Sequence, residues 1–191
     1  MNPLQLFRSL PSDVLTPSAG VDFLQFIGCA KPVVRTQVFN PNGIERLTAW
    51  CQTHGLGVES DHDGFICVAG SQSLADQALL LDRCELPHAR EFGELLGYPS
   101  CCCDFIAQVG EQQMEGAEAE AAKWKFTGEF AKIDPAGYSQ GCSLICHLPC
   151  CEHCVPSLQV AVRALTFIRD HWDSGLFGKW SRWVTEGTGD K

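Results

Sequence analysis

The sequence predicts an α+β fold: a small N-terminal sheet with helices, followed by a helical, cysteine-rich half. Three observations predict it. A run rich in β-branched residues sits at 33–39, and two further short runs, 56–59 and 64–68, read as strands on either side of a turn cluster. Apolar spacing of three and four residues dominates after residue 71. Eight of the 12 cysteines fall between residues 101 and 154. The length, 191 residues, suits a single domain, 1–191, with an α+β layer over 30–85 and a helical Cys-rich part over 86–175.

The elements follow in chain order. Prolines at 3, 11 and 17 break the N-terminus into short pieces, of which VDFLQFIG reads as a short helix ending at Gly28. VVRTQVF is a strand, and Asn40-Pro41-Asn42-Gly43 reads as a turn. Ile44, Leu47 and Cys51 recur at helical spacing, giving about eleven helical residues that stop near Gly55. Two short strands flank Asp61-His62-Asp63-Gly64, a hairpin loop. LADQALLLDRC and HAREFGELLG are helices. Pro99 opens another, because its missing N–H would be unpaired in a first turn anyway. Cys102, Phe105, Ile106 and Val109 then form one apolar stripe. Residues 111–123 read as a solvated helix or a mobile segment, and 124–141 as an irregular connector with aromatic anchors. Leu158, Ala161, Val162, Leu165, Ile168 and Trp172 mark the clearest amphipathic helix. The polar end, EGTGDK, is expected to fray.

Composition excludes several classes. A formal net charge of −9 with a pI near 5.0 argues against nucleic acid and anionic membrane as partners. No apolar run is long enough for a membrane span. The first residues, MNPLQLFRSLPSDVL, lack a basic region followed by a continuous apolar one, so the chain is expected to be cytoplasmic with reduced thiols. There is no Gly-rich phosphate loop, no G-x-S-x-G and no H-E-x-x-H. Oligomeric state, substrate and reaction are not encoded legibly.

Reduced cysteines at this density point to metal binding or thiol chemistry rather than static disulfides. Cys101, Cys102 and Cys103 lie in the first turn of the helix after Pro99, and Cys150, Cys151 and Cys154 lie just before the helix near Pro156. Helix N-termini carry partial positive charge, which favours thiolate, the ligating form. The predicted centre takes Cys101 or Cys102, Cys150 and Cys154, with His147 as fourth ligand and His153 as its substitute. Three thiolates and an imidazole suit tetrahedral zinc, and an iron–sulfur cluster is equally compatible. Two alternatives stand beside this. One is a metal-free thiol-redox enzyme or sensor using Cys150, Cys151 and Cys154. The other is an interaction module whose cysteines are packing residues.

Blander readings cover the remaining candidates. Cys29, Cys51, Cys67 and Cys84 are expected to fill the core. Cys142 and Cys146, four apart, are either one face of a short helix or ligands. Cys103 points away from Cys102 in a helix, so at most two of the triplet face one site. His54, His62, His88 and His171 suit surface or capping positions. Asp61-His62-Asp63 is explained by turn chemistry, and Trp180 and Trp183 by aromatic core.

Leu96-Gly97-Tyr98-Pro99-Ser100-Cys101-Cys102 with Phe105, and His147-Leu148-Pro149-Cys150-Cys151-Glu152-His153-Cys154 with Ser157, form two strings in order. They resemble the L-G-Y-P-x-C-C-x-x-F and H-x-P-C-S-x-x-C-x-x-S elements of an uncharacterised cysteine-rich prokaryotic family, a domain of unknown function. The resemblance covers roughly residues 90–170. It implies Cys101, Cys102, His147, Cys150, Cys154 and Ser157 as motif positions and names no activity. The sequence departs from the pattern at Cys151, where serine is expected, and in the additional Cys103.

Overall fold

The computed structural model describes residues 2–29, 31–38, 40–84, 88–110 and 113–185. The Cys29 side chain and the polar end, 186–191, lie outside the described residues. A three-stranded antiparallel sheet, β1 (Val33–Gln37), β2 (Gly57–Ser60) and β3 (Phe65–Ala69), is ordered β1-β3-β2. The hairpin joining β2 to β3 is built by Asp61, whose Oδ1 accepts from the amides of Asp63 and Phe65, both at 2.9 Å. Two outer strands leave β3 in the middle, with Val33 opposite Ala69 on one side and Gly57 on the other.

Both faces of this sheet are covered, which explains why β3 reads as an unbroken apolar run. Alternate residues point to opposite faces of a strand. Val33, Cys67 and Ala69 pack with Ala75, Ala78 and Leu79 of α4 (Gln72–Asp82) and with residues of α5 (Ala89–Leu95). Val34, Ile66 and Val68 belong to the larger core, with Val21, Phe23 and Leu24 of α2 (Pro17–Cys29) and Leu47, Trp50 and Cys51 of α3 (Pro41–Thr53). The short α1 (Pro3–Arg8) adds Phe7, stacked on Phe177. The α+β expectation is therefore met, with the sheet as the middle layer.

Two local expectations change, and one that stood open between two readings resolves to a helix. The Asn40–Gly43 cluster starts a helix instead of making a free turn: Asn40 Oδ1 caps the Asn42 amide at 3.0 Å and Pro41 occupies the first turn, so α3 begins three residues before Ile44. Residues 114–121 are helical (α7, Met114–Ala121). Cys142 and Cys146 do not share a helix: 142–154 is irregular, and Pro149 within it disfavours a helical ladder. Short 3₁₀ turns at Gly128–Ile133 and Pro135–Gly137 lead into it.

Two long elements frame the cysteine-rich half. α6 (Ser100–Val109) follows α5 after a tight turn, and α8 (Val155–Asp170) crosses α2 with Val160, Ala161, Ala164, Leu165, Phe167 and Ile168 buried. Burying each larger side chain of this face contributes about 1.5–3 kcal/mol. α9 (Ser174–Phe177) and α10 (Ser181–Thr185) are the last helices among the described residues. Trp180 and Trp183 are buried as expected, and their indole N–H groups donate to Ser143 O at 2.8 Å and Cys142 O at 3.1 Å. The C-terminal turn thus pins the irregular segment to the core. No helix among the described residues is long and apolar enough to cross a membrane.

Candidate metal centre

The turn before α6 sets the first half of the site. Gly97 has φ of 78°, a left-handed conformation natural to glycine, and a Cβ there would lie 2.5 Å from Pro32 Cδ. The chain can therefore press against residues 31–32 and reverse into α6. Pro99 stands one place earlier than expected, at the N-cap; its carbonyl accepts from Cys102 and Cys103. Cys101 and Cys102 occupy the first turn. The second half comes from the end of the irregular segment: Cys150 lies in a bend, and Cys154 is the N-cap residue of α8, with Pro156 in its first turn.

The two helix ends meet. Sγ atoms of Cys101, Cys102, Cys150 and Cys154 all lie within 4.8 Å of one another, a group that could hold a metal ion. Cys101 to Cys102 is 3.9 Å, and each of these is 3.7 Å from Cys154. Cys102 and Cys154 are buried; Cys101 and Cys150 keep partial access to solvent.

The thiols are electrostatically unequal. Burial pushes Cys102 up to about 12, against the lowering effect of the Ser157 hydroxyl and the Cys150 amide. Burial also raises Cys150, assisted by the neighbouring Cys102 and Cys154 sulfurs. Cys154 goes the other way: burial raises it, but Ser157, through hydroxyl and backbone, and the Cys102 and Cys150 thiols bring it below its ordinary value. An ion replacing the thiol protons would relieve this crowding, because ligating cysteine is thiolate.

His147 is not in the four-donor group. The fourth position expected for it is filled by the second thiol of the α6 turn, because one helical turn presents both Cys101 and Cys102 to the opposing helix end. His147 Nε2 instead meets Ser157 Oγ at 2.8 Å, and Ser157 Oγ donates to Cys154 Sγ at 3.2 Å and lies 3.3 Å from Cys102 Sγ. Because the hydroxyl proton goes to sulfur, the ring proton belongs on Nε2, an assignment made from the network. Burial, then the charge of Lys31, lowers His147 to about 3, so the ring is neutral.

The other candidates scatter. Cys103 turns away, its thiol toward Tyr98 O at 3.7 Å. Cys151 is half-buried and outside the group, and His153 is exposed against the Phe130 ring. Cys51 and Cys67 are buried fillers, each pushed to about 12 by burial, whereas Cys84 is exposed just past α4 and does not fill the core. His54, His88 and His171 sit at helix caps, and His62 is exposed in the hairpin.

A buried polar cluster escaped the sequence reading. Lys31 pairs with Asp22 of α2, whose other oxygen accepts from Tyr138 OH at 2.6 Å. Lys31 Nζ also donates to Cys146 Sγ at 3.2 Å and lies 5.1 Å from the Tyr98 ring centroid. The available signal was Asp22 inside the apolar string VDFLQFIG, a charge that a buried helix face tolerates only with a partner. No family model, curated protein or solved structure matches the chain.

Proposed function

We propose that this protein binds a single zinc ion through Cys101, Cys102, Cys150 and Cys154, in a closed tetrathiolate that ties the start of α6 to the start of α8. The carrying observation is the compactness of the four sulfurs. Zinc–sulfur bonds of about 2.3 Å in a tetrahedron put sulfurs about 3.8 Å apart, and three of the pairs stand at 3.7–3.9 Å. An iron–sulfur cluster interposes several irons and sulfides and needs its thiolates further apart, so the spacing favours one ion. Four protein ligands leave no open position, which suits a structural ion. A reducing compartment such as the cytoplasm keeps such thiols available. The two motifs of the resembled family contain all four ligands together with His147 and Ser157; in this reading the last two support the ligands.

The test is metal analysis and visible absorbance of anaerobically purified protein. We expect one zinc per chain and no colour. Cys102→Ser and Cys154→Ser lower the zinc content well below one, and Cys151→Ser leaves it at one. Brown protein with acid-labile sulfide overturns zinc in favour of a cluster. Folded, metal-free protein overturns the metal reading altogether.

A further inference from the structure

We propose that Lys31 and Cys146 are joined by a covalent N–O–S bridge when the protein meets peroxide, so that this pair is an oxidant-responsive modification site separate from the four-thiol group. The inference does not rest on the metal reading. It rests on a primary amine and a thiol held 3.2 Å apart in the interior, each residue 7% exposed. Neither group is free to swing away. Asp22 grips the amine by an ion pair and is itself held by Tyr138 at 2.6 Å. The sulfur belongs to a segment anchored by Trp180 and Trp183.

The space beside the pair decides what can react there. Lys31, Cys146, Gln25, Tyr98, His147 and Arg163 line a recess of about 30 Å³. A water needs roughly 10–15 Å³ by this measure, so the recess admits one or two molecules of water size. Hydrogen peroxide fits.

The chemistry balances with two equivalents of peroxide. Lys31 passes one proton to Asp22 and becomes a neutral amine. The Cys146 sulfur breaks the O–O bond of the first peroxide and takes one oxygen, giving sulfenic acid and one water. The second peroxide removes two electrons as the amine nitrogen bonds to the sulfenic oxygen; one N–H and the S–O–H hydrogen leave, and two waters form. Sulfur and nitrogen are oxidised, both peroxides are reduced, and three waters are released. Thiol reductants reverse the bridge by attack at its sulfur. While it stands, it fastens the residues preceding β1 to the segment carrying His147.

The experiment treats the protein as purified with hydrogen peroxide, digests it without reductant and sequences the peptides by mass spectrometry. The expected product is the Lys31 peptide linked to the Cys146 peptide, their summed mass increased by one oxygen and decreased by two hydrogens. Dithiothreitol abolishes it, and so do Lys31→Arg and Cys146→Ser. If Cys146 in the wild-type protein stops at sulfenic or sulfinic acid, or joins another cysteine, while the Lys31 peptide stays unlinked, the proposal is overturned. That reading comes from the wild-type chain and stands whether or not the variants fold.

Discussion

Ser157 is the smallest side chain on which the centre depends. Its hydroxyl serves two sulfurs and one imidazole within 3.3 Å, and it is completely buried. Ser157→Ala leaves His147 Nε2 without its partner, and a buried orphan of this kind costs about 1–3 kcal/mol; urea unfolding at neutral pH measures it. His147 makes a second prediction. Its folded-state value is about 3, while an unfolded histidine titrates near 6.5. Between those values the unfolded chain binds the extra proton, so stability falls as pH falls, by up to about 1.4 kcal/mol per pH unit, and levels off below 3. His147→Gln keeps a hydrogen-bonding group at the position and is expected to flatten that slope in unfolding curves taken across the range. A slope unchanged by the substitution contradicts the neutral, buried ring.

Helix ends, rather than strands, carry the chemistry at the scale of elements. α6 and α8 each begin with a proline near the first turn and sulfur-bearing residues beside it. Their orphan amides and partial positive charge suit thiolates. What aims α6 is the turn before it. Gly97→Ala would place a methyl 2.5 Å from Pro32 Cδ at a φ of 78°, so it is expected to destabilise by about 1–3 kcal/mol and to weaken metal retention with it. Chemical denaturation and zinc content of the same preparation check both effects. Legibility differed among elements for the same physical reason. α4, α6 and α8 were readable because their apolar period follows one rule along the chain, and the strands because short runs bounded by turn residues mark them. The start of α3 was misread, since Asn-Pro-Asn-Gly serves a turn and a helix cap equally well. Residues 142–154 have no period at all; their shape comes from tryptophans that lie some forty residues further on.

For the molecule as a whole, the decisive event is that two segments about fifty residues apart in sequence end tip to tip. A metal joining them closes that loop, so stripping the ion with a chelator under reducing conditions is expected to lower the melting temperature, and re-adding zinc to restore it. Affinity is expected to fall with falling pH, because Cys102, held near 12 when free of metal, must lose its proton to ligate.

By itself the sequence determined the α+β class, the elements with a clean period, the two thiol-bearing helix starts, and a density of thiols that could serve a metal ion. It did so because period and capping are local properties of the chain. Tertiary structure alone decided which four thiols come together. Whether Cys101, Cys102 or His147 completes the group depends on how one helix start faces another. It also decided that Asp22 and Lys31 meet Tyr138 and Cys146, more than a hundred residues further on, in one hydrogen-bonded cluster. A buried charge needs its counter-charge and hydrogen bonds within a few ångströms, and that requirement is met in space, where no local pattern records it.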